Sequence, residues 1–352
     1  MGTITFLLVL SFLVFFHELG HFLAARFFGV KVEKFSIGFG KAIYSKYWAG
    51  TTWQFAMIPL GGYVQMKGQD DSKPTLVEIG NDSYNTKKPW QRIIILFAGP
   101  FANFLLAAVL YFCMAQMGAT TLAPAVGQIQ ENSAAFNAGI KPNDEIVRIN
   151  DIEIKSWDDI GKVITSTQGA LQFYIKRDNQ LLVKIINPQV SDAKNMFNEN
   201  IKKRMIGISP SGKVVTLNLG FYDSLVYAYE KTIFASTMIF QGIQKLIQGV
   251  IPSSEIGGVI TIGKVISDAS QSSIIALLAI TALISVNLGV INLLPIPALD
   301  GGHIMFNLYE MIARKKPSDQ VFMFLTIMGW IILASLMILG IYNDINRIFL
   351  NN

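Results

Sequence analysis

The chain holds one cysteine, Cys113, and three histidines, His17, His21 and His303, among 352 residues. A single cysteine excludes an intramolecular disulfide and any cysteine-based metal cluster. Set in an apolar run, Cys113 reads as a small buried hydrophobe. Charge is also scarce. Asp, Glu, Lys and Arg make up 15% of the residues, against about 25% in soluble domains. With 51% hydrophobic residues and a mean hydropathy of +0.42, the composition is that of a multi-pass membrane protein. The net charge is +5, and no nucleic-acid-binding signature accompanies it, so the basic excess is read as topology.

Four stretches are long and apolar enough to cross a bilayer: residues 3–28, 93–116, 274–299 and 321–342, the last without any charge. The first lacks a basic leading region and stays apolar past its histidines, so it reads as a retained span rather than a cleaved signal peptide. Lys and Arg set the orientation. Ten lie from Arg26 to Arg92, and Arg314, Lys315 and Lys316 lie between the third and fourth spans. Both loops are therefore expected on the cytoplasmic side. Both termini and the long segment between spans two and three are expected outside.

The fold expectation is a polytopic α-helical membrane protein of about four transmembrane helices, with a cytoplasmic membrane-associated β-hairpin sheet and one extracytoplasmic α+β PDZ domain. The divisions expected are a first helix at 1–29, hairpins at 30–90, a second helix at 91–117 and the PDZ domain at 122–190. A connector with interfacial helices at 191–270 follows, then the third helix at 271–303 and the fourth at 320–343. Residues 30–68 alternate polar and apolar side chains and are rich in glycine and aromatics, which favours short hairpins. Within 124–188, "AVGQI", "DEIVRINDIEI", "LQFYIKRD" and "LLVKIIN" read as strands. "SAAFNAGI" and "SWDDIGKVITST" read as short helices, with Ser156 a cap for the second. Residues 190–215 read as a connector. Residues 222–251 are half-apolar and interrupted by Glu230, Lys231 and Lys245, so an amphipathic helix on the outer membrane surface is expected.

The first span contains His17, Glu18 and His21 in the order H-E-x-x-H. On a helix the histidines, at i and i+4, share one face. Two neutral imidazoles so placed suit zinc. Glu18 lies roughly 100° away around the helix, so it can take a proton from a metal-activated water rather than bind the metal. A cluster snorkelling to the interface would explain Arg26 but not His17 and Glu18, which lie deep in the span. Ionisable groups there are costly and functional.

Two histidines leave zinc short of a protein ligand. Asp300, where the third span meets the cytoplasm, is the expected third. Gly301 and Gly302 follow it and let its carboxylate sit on a bend. His303 is assigned a nearby structural or supporting role instead. Asn292, Pro295 and Pro297 disrupt the helix at the depth of the site and free carbonyls there. Such groups can hold an extended peptide, as a protease requires.

His17–Glu18–x–x–His21 and Asn292–x–x–Pro295–x–Pro297–x–Leu299–Asp300–Gly301 together resemble the paired signatures of the site-2 proteases. "PWQRIIILFAGPFANF", "IPLGGYVQMKG" and "SEIGGVITIGK" further resemble the RseP-like branch, so the likeness covers essentially the whole chain. There is room for only one PDZ module where RseP has two. The resemblance implies an intramembrane zinc metalloendopeptidase of the bacterial inner membrane. Its expected substrates are single-pass transmembrane segments, anti-sigma factors or signal-peptide remnants, already trimmed by a site-1 protease. It implies Zn2+ held by His17, His21 and Asp300, Glu18 as general base, and Asn292 positioning substrate with Pro295 and Pro297. Gly61, Gly62 and Tyr63 would pair with unwound substrate as an added strand, and the PDZ unit would filter or dock substrates. Two other classes compete. A membrane-anchored PDZ scaffold would not need this set of ionisable residues, and a zinc transporter would need more of them along its spans.

Overall fold

The computed structural model describes residues 2–69 and 80–349, without the side chains of Leu60 and Phe349. Residues 70–79 of the expected hairpin region lie outside the described residues. The chain forms two compact units: residues 1–114 with 225–352, and residues 115–224.

The first unit opens with α1, Gly2–Phe27, which carries the H-E-x-x-H residues. The helix ends at Gly29, where the Val30 amide bonds to the Ala25 carbonyl and the Gly29 amide to Arg26, the double closure of a Schellman cap. Strands β1, Val32–Trp48, and β2, Thr51–Met66, follow. They are one long folded pair rather than several short hairpins. Residues 32–37 of β1 pair with both 62–66 and 52–55 of β2, and residues 42–48 pair with 51–56. Gly38 and Gly40, at φ of +92° and +85°, allow the fold in β1.

Helix α2, Pro89–Gln116, begins on proline, whose missing N–H costs nothing at that position. Cys113 lies on its exposed surface, not in the interior. An apolar helix in a membrane protein turns one side outward to lipid, so apolar surroundings in sequence do not mean burial.

The second unit contains β3, Thr120–Leu122, β4, Val126–Ile129, and α3, Ala134–Asn137. Next come β5, Glu145–Ile149, β6, Ile152–Glu153, α4, Trp157–Ser166, β7, Leu171–Arg177, and β8, Gln180–Ile186. These are the strands and helices expected from the sequence over 124–188. Ser156 caps α4 in a capping box with Asp159. A sheet of order β6-β5-β7-β8 packs its inner face, with Ile146, Phe173 and Ile175, against Ile160 and Val163 of α4. Asp144, 1% exposed, holds Arg177 at 2.7 Å, and this hydrogen bond, helped by the carboxylate's charge, raises the guanidinium pKa above the ordinary value.

Residues 190–215 are not a connector. They form β9, Gln189–Lys194, β10, Asn200–Met205, β11, Ile208–Pro210, and β12, Val214–Thr216. Strand β9 pairs with β10, β11 with β4, and β12 with β3. Ile206 joins the buried core of the unit. Strands β11 and β12 pair with partners some eighty to ninety residues earlier in sequence, and short polar strands give little periodic signal. A groove runs between α4 and residues 203–209, lined by Trp157, Ile160, Ile164, Met205 and Ile208.

Helix α5, Phe221–Ile247, leads back into the first unit. It is followed by α6, Val259–Ser272, α7, Ile274–Asn292, α8, Asp300–Ala313, and α9, Asp319–Phe349. Among the described residues, four helices are long and apolar enough to cross a membrane: Gly2–Phe27, Pro89–Gln116, Ile274–Asn292 and Asp319–Ile348. The third stops at Asn292 instead of running to 299 or 303. Pro295 and Pro297 cannot supply helical N–H groups, so residues 293–299 form turns before α8 starts. At α6, the Asp344 carboxylate of α9 accepts hydrogen bonds from the Gly258, Ile260 and Thr261 amides. This satisfies a helix N-terminus from a residue far along the chain.

Candidate metal centre

His17 and His21 stand one turn apart on α1 and face α2. The contact is close because α2 presents Gly99 there, where a methyl group would meet the His21 ring. The His21 ring is buried, and its Nδ1 lies 2.9 Å from the Ile95 carbonyl oxygen. A carbonyl only accepts, so Nδ1 carries the hydrogen and Nε2 keeps its lone pair. His17 Nδ1 lies 3.1 Å from the Asn103 carboxamide nitrogen on α2. Ser285 of α7 donates to the Asn103 backbone carbonyl at 2.8 Å and ties α7 to the same point of α2.

Asp300 reaches this centre from the first turn of α8. Gly301 and Gly302 bring that turn hard against the carbonyls of Leu293, Leu294 and Ile296, where any side chain would collide. Asp300 is therefore the first residue of a helix, directly after the turns of residues 293–299. The positive end of α8 favours its carboxylate.

Asp300 Oδ2 lies 3.3 Å from His17 Nε2 and 3.4 Å from His21 Nε2, and the two Nε2 atoms are 3.3 Å apart. Among the described residues these three form a convergent group of potential metal ligands. Zinc held tetrahedrally at 2.0–2.1 Å spaces its ligands about 3.3–3.4 Å apart, from simple tetrahedral geometry. The three edges fit that spacing. Asp300 Oδ2 is also buried without a hydrogen-bond partner among the described residues. An unpartnered carboxylate oxygen aimed at two imidazole lone pairs is costly unless a cation completes it. The residues fit zinc.

Glu18 lies close enough to His21, His17 and Asp300 for their charges to act on it, and it also borders the sheet. It accepts a hydrogen bond from the Val64 backbone, and its Cγ would lie 3.3 Å from a Cβ placed at Gly62. Gly62 thus lets β2 lie directly on the glutamate. Tyr63 turns elsewhere: its ring stacks on Phe39, and its hydroxyl accepts from Gln54 Nε2 at 3.2 Å. Gly61 packs under the same Phe39 ring. Asn292 ends α7, and Pro295 and Pro297 occupy the turn segment leading to Asp300. His303 stacks near Phe306 and Phe322 and is not part of the convergent group.

The sequence reading missed the groups that support this centre. Asn103 had a faint signal, an amide inside an apolar span. The Ile95 carbonyl and the Val64 backbone had none, since any residue supplies them. The Arg92–Glu310 pair, 2.7 Å apart, ties the start of α2 to α8. It was invisible because the partners lie more than two hundred residues apart.

The sequence model of peptidase family M50 matches residues 5–336. Three similar bacterial proteins each carry the name "Putative zinc metalloprotease". The first, from Campylobacter jejuni, is 47% identical over 97% of this chain and 92% of its own length. The second, from Helicobacter pylori strain J99, is 38% identical over 97% and 98%. The third, from Rickettsia conorii, is 35% identical over 99% of both. The chain belongs to peptidase family M50, the site-2 proteases, whose members are zinc metalloproteases.

Proposed function

We propose that this protein is an intramembrane zinc metalloprotease that hydrolyses peptide bonds within single-pass transmembrane segments. The observation that carries this reading is the meeting of His17 Nε2, His21 Nε2 and Asp300 Oδ2 at zinc-ligand spacing, with Glu18 beside them. His17, His21 and Asp300 hold the ion. When bound, zinc activates water and polarises a carbonyl oxygen. The Glu18 carboxylate takes the water proton and delivers it to the leaving nitrogen. The hydrogen bond from Val64 and the close approach of Gly62 hold Glu18 between the three ligands and the sheet edge where substrate would lie.

A helical segment shields its scissile bond, so substrate must be held extended. Residues 62–66 of β2 pair with β1 on one side, and the opposite edge suits an added substrate strand. Gly61, Gly62 and Tyr63 would line that strand. Asn292 and the carbonyls freed around Pro295 and Pro297 would bind its other side.

The second unit would be a single extracytoplasmic PDZ domain that docks or filters substrates, with its groove along α4 as the docking surface. Anti-sigma factors and signal-peptide remnants, trimmed by a site-1 protease, are the substrate classes we expect. The setting would be the bacterial inner membrane, with both termini outside and the centre toward the cytoplasm. The decisive experiment co-expresses tagged single-pass segments with wild type or Glu18→Gln. Cleavage by wild type alone, with zinc still bound by the variant, is expected. Equal processing by both would remove the protease reading and leave the membrane-anchored scaffold.

A further inference from the structure

We infer that Asn103 is a positioning residue for the metal centre, presenting its carboxamide oxygen to the His17 Nδ1 hydrogen. The inference rests on the reading of His17, His21 and Asp300 as zinc ligands.

The two histidines differ in what stands behind them. Behind His21 is the Ile95 carbonyl, which can only accept, so Nε2 is available to a metal. Behind His17 is a carboxamide, which has a donor end and an acceptor end. If the amide nitrogen faces His17 Nδ1, that ring atom accepts. The ring hydrogen is then forced onto Nε2, pointing at His21 Nε2 and Asp300 Oδ2 across 3.3 Å. Such an imidazole cannot ligate. If the amide oxygen faces it, Nδ1 donates and Nε2 is free. The structure has the nitrogen end 3.1 Å from Nδ1 and leaves the oxygen buried with no partner among the described residues. Rotation about the terminal bond exchanges the two ends. It gives the stranded oxygen a donor and gives His17 the ring form its neighbour already has.

The surroundings hold this side chain in place. Asn103 is fully buried, and Ser285 grips its backbone carbonyl from α7. A group so placed orients a ligand ring and raises its basicity. Losing such support typically lowers metal affinity about 10- to 100-fold.

The test measures zinc affinity of the full-length protein in detergent by competition with a chromophoric chelator. Cobalt replaces zinc in parallel to read ligand geometry from its visible bands. Asn103→Leu should bind zinc about 10- to 100-fold more weakly and alter the cobalt spectrum. Asn103→Asp, which can only accept from Nδ1–H, should hold zinc within a few-fold of wild type. Wild-type affinity in Asn103→Leu overturns the inference. So does a tenfold or greater loss in Asn103→Asp with normal thermal unfolding, because it would mean the amide N–H is the required end. His17→Ala is the control. If it keeps full zinc affinity, the metal reading fails and this inference with it. If only the Asn103 results fail, the protease reading stands.

Discussion

Replacing Gly99 by alanine is a sharp trial of the centre, because two effects of opposite sign compete. Intrinsic helix propensity favours the change by about 0.8–1.0 kcal/mol. Packing opposes it. A Cβ at residue 99 would lie 2.5 Å from His21 Cε1 and 2.8 Å from Cδ2, where carbon atoms normally stay about 3.5–4.0 Å apart. The ring would have to retreat by about 1 Å. It has little freedom to do so, being buried and tied to Ile95. Nor can α1 and α2 slide past one another, because Gly20 of α1 is packed against the Ala98 carbonyl of α2. Metal–ligand distances tolerate about 0.2 Å, so a retreat of this size would take His21 out of the proposed zinc site. A misplacement of about 1 Å costs on the order of 100-fold in rate, or about 2.7 kcal/mol of barrier. The assay is cleavage of a tagged single-pass segment together with zinc content, compared with Phe97→Leu on the exposed face of α2. Gly99→Ala should lose zinc and at least 99% of activity, while Phe97→Leu keeps both. Full zinc and activity in Gly99→Ala would refute the packing of α2 against the H-E-x-x-H face.

Other outcomes follow from the same geometry. Gly62→Val should lower turnover without lowering zinc content, because the atoms a side chain there meets first are Val14, the Ser36 carbonyl and Glu18; zinc analysis beside cleavage rates checks this. Breaking the Arg92–Glu310 pair with Arg92→Met should lower stability, toward the low end of the about 3–5 kcal/mol range for buried pairs, by leaving a mostly covered carboxylate alone, whereas the Arg92→Met/Glu310→Met double variant should recover much of it. Thermal unfolding in detergent distinguishes the two. In the second unit, Ser156→Ala removes the α4 cap and should cost about 1 kcal/mol, read as a lowered midpoint, with zinc binding unchanged.

The properties legible in the sequence were those set by neighbours in the chain. Hydropathy marks the four long helices because a bilayer-length apolar run is a local feature. The i, i+4 spacing puts His17 and His21 on one face of α1 whatever surrounds it, and Ser156 caps α4 with groups three residues away. What tertiary structure alone decided were meetings between distant residues. Asp300 comes to 3.3–3.4 Å from both imidazoles through the turn after Asn292 and the close seating of Gly301 and Gly302. Asn103 and the Ile95 carbonyl stand behind the rings because α2 runs against α1 at Gly99. Strands β11 and β12 formed because their hydrogen-bond partners, β4 and β3, lie far back in the chain, and the long β1–β2 pair took its folded register from packing rather than from its alternation pattern. Backbone carbonyls and amides are identical at every residue, so a sequence cannot tell which of them will meet. Only the packing that brings them together can.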